Sequence, residues 1–115
     1  MAKYDVARLD ELEGSMRKLR RELGVTAFGI NYGSLAPGQE GFEHDESGAD
    51  QEEVYVYVKG SGTLHLDGEP VEVRAGTAVR IDPEVTRKPV AGDEGLEWVA
   101  VGAPRGGGYQ PPSWG

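Results

Sequence analysis

Residues 38–60 read Gly-Gln-Glu-Gly-Phe-Glu-His-Asp-Glu-Ser-Gly-Ala-Asp-Gln-Glu-Glu-Val-Tyr-Val-Tyr-Val-Lys-Gly. The first half of this stretch is acidic and rich in glycine, and it carries His44, one of the two histidines in the chain. From Glu53 onward the residues alternate between two chemical types, and a period of two residues predicts a β-strand. A loop with a histidine and several carboxylates therefore leads directly into a strand.

The alternation places Glu53, Tyr55 and Tyr57 on one face of this strand and three valines on the other. We expect the face with Glu53 to line an interior pocket, where the carboxylate needs a partner because an unpaired buried charge is costly. The opposite register, with the valines inside, stays open, because both faces of a strand in a double-sheet barrel can be partly covered.

Short strands separated by turn signals are predicted along most of the chain, and a sandwich or barrel is the expected architecture. Asp67-Gly68 has the composition of a two-residue hairpin turn of type I′. Turns are also predicted at residues 60–62 and 92–95. The predicted strands cover residues 25–35, 53–59, 63–66, 71–74, 78–81, 87–90 and 96–101.

Residues 15–23 form the one predicted helix, with Met16, Leu19 and Leu23 on one face and Gly24 as its stop signal. It belongs to an N-terminal segment, residues 1–24. The last segment, residues 104–115, is rich in glycine and proline and is predicted to be an irregular tail. Tyr109 and Trp114 could anchor this tail on the domain or pack against another subunit.

The composition and charge of the chain argue against several classes of protein. The chain has 115 residues, a formal charge of −8 and no cysteine, which predicts one domain and excludes disulfides. Residues 39–53 carry seven acidic side chains and no lysine or arginine, which argues against nucleic acid as a partner. No apolar stretch approaches the length of a membrane span, so we expect a cytoplasmic protein that does not bind membranes.

Two spacings carry a family resemblance. Gly38, five residues, His44, then Glu53, six residues and Gly60 resemble the first motif of the cupins. Gly76, Asp82-Pro83 and Arg87 resemble a degenerate second motif. The resemblance covers about residues 25–103 and is strongest to small single-domain cupins of the RmlC-like superfamily. It implies an all-β fold, a cupin-type jelly-roll β-barrel (double-stranded β-helix) with a short N-terminal helix and a ligand pocket inside the barrel.

The departures from the motifs concern the metal ligands. A metal-binding cupin would offer two histidines and a glutamate from the first motif and a histidine from the second. Here Glu46 stands at the second histidine position, with Gln51 as the counterpart if the loop carries an insertion, and Arg87 stands at the last one. An arginine has no lone pair to donate and opposes a metal by its charge. No metal is therefore favoured; a Zn, Fe, Mn or Ni ion would have to use His44, Gln51 and Glu53.

The resemblance leaves alternative functions open. The favoured prediction is a protein that binds a small polar or anionic molecule in its barrel without a catalytic metal. The alternatives are a metal-dependent cupin enzyme, of the dioxygenase or isomerase type, and a structural role. A homodimer is expected in each case. The predicted ligand-binding residues are His44, Glu53, Tyr55, Tyr57, Arg87 and Trp98. Whether Arg87 faces the pocket as an anion anchor or pairs with Glu53 is left open.

Overall fold

The computed structural model describes residues 3–115; Met1 and Ala2, with which the predicted N-terminal segment begins, lie outside the described residues. The described chain is mostly antiparallel β-sheet, which fits the jelly roll expected from the motifs. A 3-10 helix and one α-helix precede the main strands. The elements are the 3-10 helix Leu9–Glu11, β1 Met16–Arg17, α1 Leu19–Leu23, β2 Gly29–Leu35, β3 Gln51–Leu66, β4 Glu69–Arg74, β5 Ala78–Ile81 and β6 Arg87–Pro104.

The strands form one continuous hydrogen-bonded system in the order β1-β2-β6-β3-β4, and β5 pairs with β3. Every pairing is antiparallel. The two longest strands, β3 and β6, lie next to each other and connect the rest of the sheet. β3 pairs with β5 through residues 53–56 and with β4 through residues 61–66, so the strand contributes to both ends of the domain.

Two predicted turns are wrong. Residues 60–62 lie within β3, and residues 92–95 lie within β6. Bulges interrupt the β3–β6 register between Tyr57 and Lys59 and between Gly60 and Gly62. A bulge bends a strand without ending it, so glycines that suggested a reversal instead mark a change of direction in a long strand.

The predicted hairpin at Asp67-Gly68 is confirmed. Both residues have positive φ, 50° and 81°, and they join Leu66 of β3 to Glu69 of β4. This is the backbone geometry of a type I′ turn, which matches the right-handed twist of the paired strands.

The N-terminal helix is shorter than predicted. It covers Leu19–Leu23 and ends at Gly24, which has the left-handed conformation expected of a helix stop. Met16 and Arg17 are instead extended and pair with Gly33 and Tyr32 of β2. Sheet pairing therefore takes precedence over the helical pattern in this segment, because the edge of β2 offers backbone partners.

The face of β3 that carries the tyrosines lies inside the domain. Tyr55 and Tyr57 are buried, whereas Val54, Val56 and Val58 are 37–47% exposed. The tyrosines pack with Trp98 of β6, their ring centroids lying 5.9–6.5 Å apart. A packed aromatic cluster buries more apolar area than the three valines could, which favours the tyrosine face as the inner one.

The C-terminal aromatic residues are not buried against the domain: Tyr109 is 79% exposed and Trp114 is 88% exposed. Across residues 3–115 there is no helix long and apolar enough to cross a membrane.

Candidate functional site

The acidic segment before β3 is held against β6 by its backbone. Ala91 donates to the carbonyl of Gln39, and Gly41 donates to the carbonyl of Pro89. His44 and Arg87 exchange two backbone hydrogen bonds, of 3.1 and 2.8 Å. Residues 38–44 thus run as an irregular antiparallel partner of β6. This pairing brings the two cupin-like motifs together, because His44 belongs to the first and Arg87 to the second.

A pocket of about 410 Å³ opens between this segment and the inner face of the sheet. Its polar inner wall is formed by His44, Glu46, Glu53 and the ring of Tyr55. The remaining wall comes from the N-terminal segment, β2, the loop and β6. The other lining residues are Ser15, Met16, Lys18, Asn31, Leu35, Gly41, Phe42, Gln51 and Ala100.

Arg87 lies behind this wall rather than in it. It has no exposed surface, and its Nη1 donates to Oε1 of Glu53 at 3.0 Å. Its Nη2 donates to the carbonyl oxygen of Asp82 at 2.8 Å. The guanidinium therefore faces inward and is paired with Glu53, and the carboxylate stands between it and the pocket.

Burial is the main influence on the pKa of Glu53. Its side chain is 13% exposed, and removal from water raises its pKa above the ordinary range of a glutamate. The nearby Glu46 carboxylate raises the pKa further, while Arg87 and the Tyr55 hydroxyl, 3.5 Å away, act in the opposite direction. Loss of contact with water is thus the main cause of the raised pKa, and an added positive charge in the pocket would lower this pKa again.

His44 and Glu46 form the more accessible part of the wall. His44 Nε2 lies 3.1 Å from Oε2 of Glu46, and the two side chains are 40% and 24% exposed. Glu46 is positioned by its backbone, since its N–H donates to the carbonyl of Pro83 at 2.9 Å. A ligand entering from solvent therefore meets an imidazole and a carboxylate before it reaches Glu53.

The predicted site residues separate into two groups. His44, Glu53 and Tyr55 line the pocket, as does Gln51. Tyr57 and Trp98 lie in the hydrophobic core and are 1% and 2% exposed. Burial raises the pKa of both Tyr55 and Tyr57, so neither hydroxyl is suited to lose a proton near neutral pH.

Several lining residues had no distinct signal in the sequence. Lys18 follows β1, and the pairing of β1 with β2 brings it to the pocket; Asn31 lies in β2 and is placed there by its pairing with Ala100 of β6. Glu46 did have a signal, because it stands two residues after His44 in the position of a cupin histidine.

A divalent metal of the cupin type fits this donor set poorly. His44, Glu46 and Glu53 each offer a ligand atom, and these atoms lie within 4.8 Å of one another. The cluster contains a single imidazole, and Glu53 already accepts a hydrogen bond from the Arg87 cation. Arg87 stands at the sequence position of the last cupin histidine, and its positive charge next to Glu53 opposes a divalent cation at this cluster.

Comparison with known families identifies the fold. The family model described as "Cupin domain" matches residues 31–102, more than half of the chain. The chain belongs to the cupin family. This confirms the resemblance inferred from the two motif spacings.

A named enzyme is similar in sequence to part of this cupin domain. Dimethylsulfoniopropionate lyase DddW from Ruegeria pomeroyi is 36% identical over 76 residues, which cover 66% of this chain and 43% of the relative. The matched region thus spans less than half the length of that enzyme.

Solved cupin structures match nearly the whole chain. A cupin protein from Bacteroides fragilis has a TM-score of 0.82 at 25% identity, covering 96% of this chain and 93% of that one. A Cupin 2 conserved barrel domain protein from Salinispora arenicola has a TM-score of 0.71 at 25% identity, covering 88% and 89%.

Proposed function

We propose that this cupin binds a small polar molecule in the pocket beside β3, without a catalytic metal, and that the inner end of the ligand carries a positive charge or hydrogen-bond donors. The observation that supports this most is the polar wall of His44, Glu46 and Glu53, which offers acceptors and negative charge. The Arg87 guanidinium, which would have suited an anion, has no exposed surface and is paired with Glu53.

The physical basis is electrostatic. A carboxylate that is partly removed from water interacts strongly with a nearby cation, because the surrounding medium screens less than bulk water does. Glu53 is mostly buried and Glu46 is half-buried, and both face the same pocket. An ammonium or sulfonium group at the inner end of the ligand would lie beside both carboxylates, whereas a carboxylate at this end would be repelled by them.

The named relative is consistent with this ligand class. Its name refers to dimethylsulfoniopropionate, a small molecule that bears a sulfonium cation and a carboxylate. We therefore include this compound among the probes, together with primary alkylamines, simple carboxylates and neutral sugars.

Trp98 provides a readout of binding. It stacks on Tyr55, a lining residue, at a centroid distance of 6.2 Å. The other tryptophan, Trp114, is 88% exposed in the tail. In a Trp114→Phe variant, a change in tryptophan emission therefore reports on the pocket side of the core.

We expect cationic probes to change Trp98 emission and simple carboxylates to leave it unchanged. Glu46→Gln should weaken the binding of the cationic probe at least about tenfold, since about 1.4 kcal/mol of lost interaction has this effect. Glu46 is preferred to Glu53 for this test because Glu53→Gln would also remove the partner of Arg87.

Glu43→Gln is the matched control, because it removes the same charge from an exposed position on the same loop outside the pocket lining. Its affinity should stay within about twofold of the parent protein. No response to any probe, or equal weakening in both variants, would contradict the proposal.

A metal-dependent enzyme is the second candidate, and the three donor atoms within 4.8 Å are the observation in its favour. Elemental analysis of protein purified without chelator distinguishes the two functions. We expect less than about a tenth of an equivalent of Zn, Fe, Mn or Ni, because Arg87 opposes a divalent cation at this site. A stoichiometric metal that is lost in His44→Ala would favour the enzyme instead.

A further inference from the structure

A second cavity, of about 420 Å³, lies between α1 and the neighbouring ends of β2 and β6. We call it the basic groove, because its charged lining residues are Lys18, Arg20 and Arg21 and no carboxylate from the described part of the chain lines it. Phe28, which is 41% exposed, supplies an apolar wall. The groove is therefore positively charged, although the chain has a formal charge of −8.

The three cations of the basic groove have no acidic partner within residues 3–115. Salt bridges involve arginines and lysines elsewhere, such as Arg80, Lys88 and Arg105, but none of these three. Arg20 makes one side-chain hydrogen bond, to the carbonyl of Val25 at 3.3 Å. The partial negative charge at the carbonyl end of α1 offsets part of the repulsion among the three cations. This effect is small, because a helix of five residues has only a small dipole. Lys18, Arg20 and Arg21 are exposed to solvent, so their charges are available to an anion that enters the groove.

The basic groove and the acidic pocket adjoin each other. Lys18, Asn31 and Gln51 line both cavities. A single small molecule could therefore lie along this shared wall, with one end facing Glu46 and Glu53 and the other facing Arg20 and Arg21. The shared wall also offers amide groups, which donate to and accept from uncharged parts of a ligand.

We propose that the ligand is a zwitterion: its cationic end lies in the acidic pocket, and an anionic oxygen group, such as a carboxylate, lies in the basic groove. This inference rests on the proposed function, because it assigns the second end of the same ligand. Arg20 and Arg21 suit a carboxylate, since a guanidinium can bind both of its oxygens.

A series of probes tests the distance between the two ends without assuming it. ω-Amino acids from β-alanine to 6-aminohexanoate are compared by calorimetry with alkylamines and alkyl carboxylates of the same chain length. We expect one or two lengths of ω-amino acid to bind at least about tenfold tighter than the matched amine.

The double variant Arg20→Gln/Arg21→Gln should bring this ratio of affinities close to one. Arg20→Lys/Arg21→Lys keeps the charge and should retain part of the ratio, which separates loss of charge from loss of folding. The control variant Lys3→Gln/Arg74→Gln removes the same net charge from exposed positions outside both cavities and should keep the full ratio.

Four outcomes separate the hypotheses. A ratio that falls only in the groove variant supports the zwitterion. Amines that bind as tightly as every ω-amino acid, or a ratio that survives Arg20→Gln/Arg21→Gln, overturn this inference and leave the proposed function standing. Carboxylates that bind alone, with no gain from an amine, show an independent anion site and overturn the shared-ligand assignment. If neither amines nor ω-amino acids bind, both the inference and the proposed function are wrong.

Discussion

Arg87→Met should lower the free energy of unfolding by about 3–5 kcal/mol at neutral pH, because it leaves a mostly buried carboxylate without its cation. Arg87 is the one buried charged side chain among residues 3–115, and it binds both Glu53 and the carbonyl oxygen of Asp82. Methionine has a similar length, so the loss reflects charge and hydrogen bonding more than packing volume. Urea unfolding followed by tryptophan emission measures the effect.

The loss should depend on pH. Burial already raises the pKa of Glu53, and the variant removes the cation that lowers it. A carboxyl group whose pKa is raised by folding stabilises the protein below its unfolded pKa, and this contribution is lost as the pH rises through the folded pKa. The penalty of Arg87→Met should therefore be smaller near pH 5 than near pH 8, where Glu53 must ionise without a partner.

Two controls accompany this measurement. Arg80→Met removes an arginine that is 59% exposed and paired with Glu52 and Asp82, and it should cost less than about 1 kcal/mol. The double variant Arg87→Met/Glu53→Gln removes both charges and should recover most of the loss, because buried ion pairs contribute little net stability. A loss below about 1 kcal/mol for Arg87→Met, or one independent of pH, would contradict this account.

Gly60→Ala is expected to be the other strongly destabilising change, costing at least about 3 kcal/mol or preventing folding. Gly60 has a φ of 79°, which an L-residue rarely adopts, and it lies at the bulge where β3 crosses β6. An added Cβ would overlap the backbone carbonyl of Gly95, which cannot move without displacing β6. Backbone strain from the positive φ and steric overlap with Gly95 therefore both destabilise the variant.

Gly68→Ala separates these two contributions. Gly68 has nearly the same φ, 81°, but the space around an added Cβ is open. Gly68→Ala should lower the free energy of unfolding by about 1–2 kcal/mol, the cost of placing an L-residue at a positive φ without steric overlap. Thermal and urea unfolding of the two variants would measure the difference. Equal stabilities would show that overlap with Gly95 is unimportant and that β6 can shift at this point.

The alternation after Glu53 and the spacing of glycines and histidine were sufficient to predict the architecture. Short-range rules explain these successes: the hairpin at Asp67-Gly68 and the strand at Ala78–Ile81 follow from turn chemistry and a period of two residues. The same rules were wrong for residues 60–62 and 92–95. Glycines favour both turns and bulges, and only the strand with which the following residues pair distinguishes the two.

The composition of the pocket could be predicted only in part. His44, Glu53 and Tyr55 lie on or beside a recognisable motif, and the sequence identifies them as candidates. The position of Lys18 depends on β1 pairing with β2, and that of Asn31 on β2 pairing with β6; no local sequence pattern predicts either contact. Long-range backbone pairing also places the loop of residues 38–44 against β6.

By itself, the sequence determined the cupin family and the all-β fold, and it showed Glu46 and Arg87 at two positions where the motifs of a metal-binding cupin carry histidines. Only the tertiary structure decided that the cation of Arg87 faces Glu53 rather than the pocket, and that the tyrosine side of β3 lies inside. The reason is that periodicity assigns side chains to two faces but not to inside or outside. That choice depends on which face can bury more apolar area and satisfy its charges, and both depend on strands distant in the sequence.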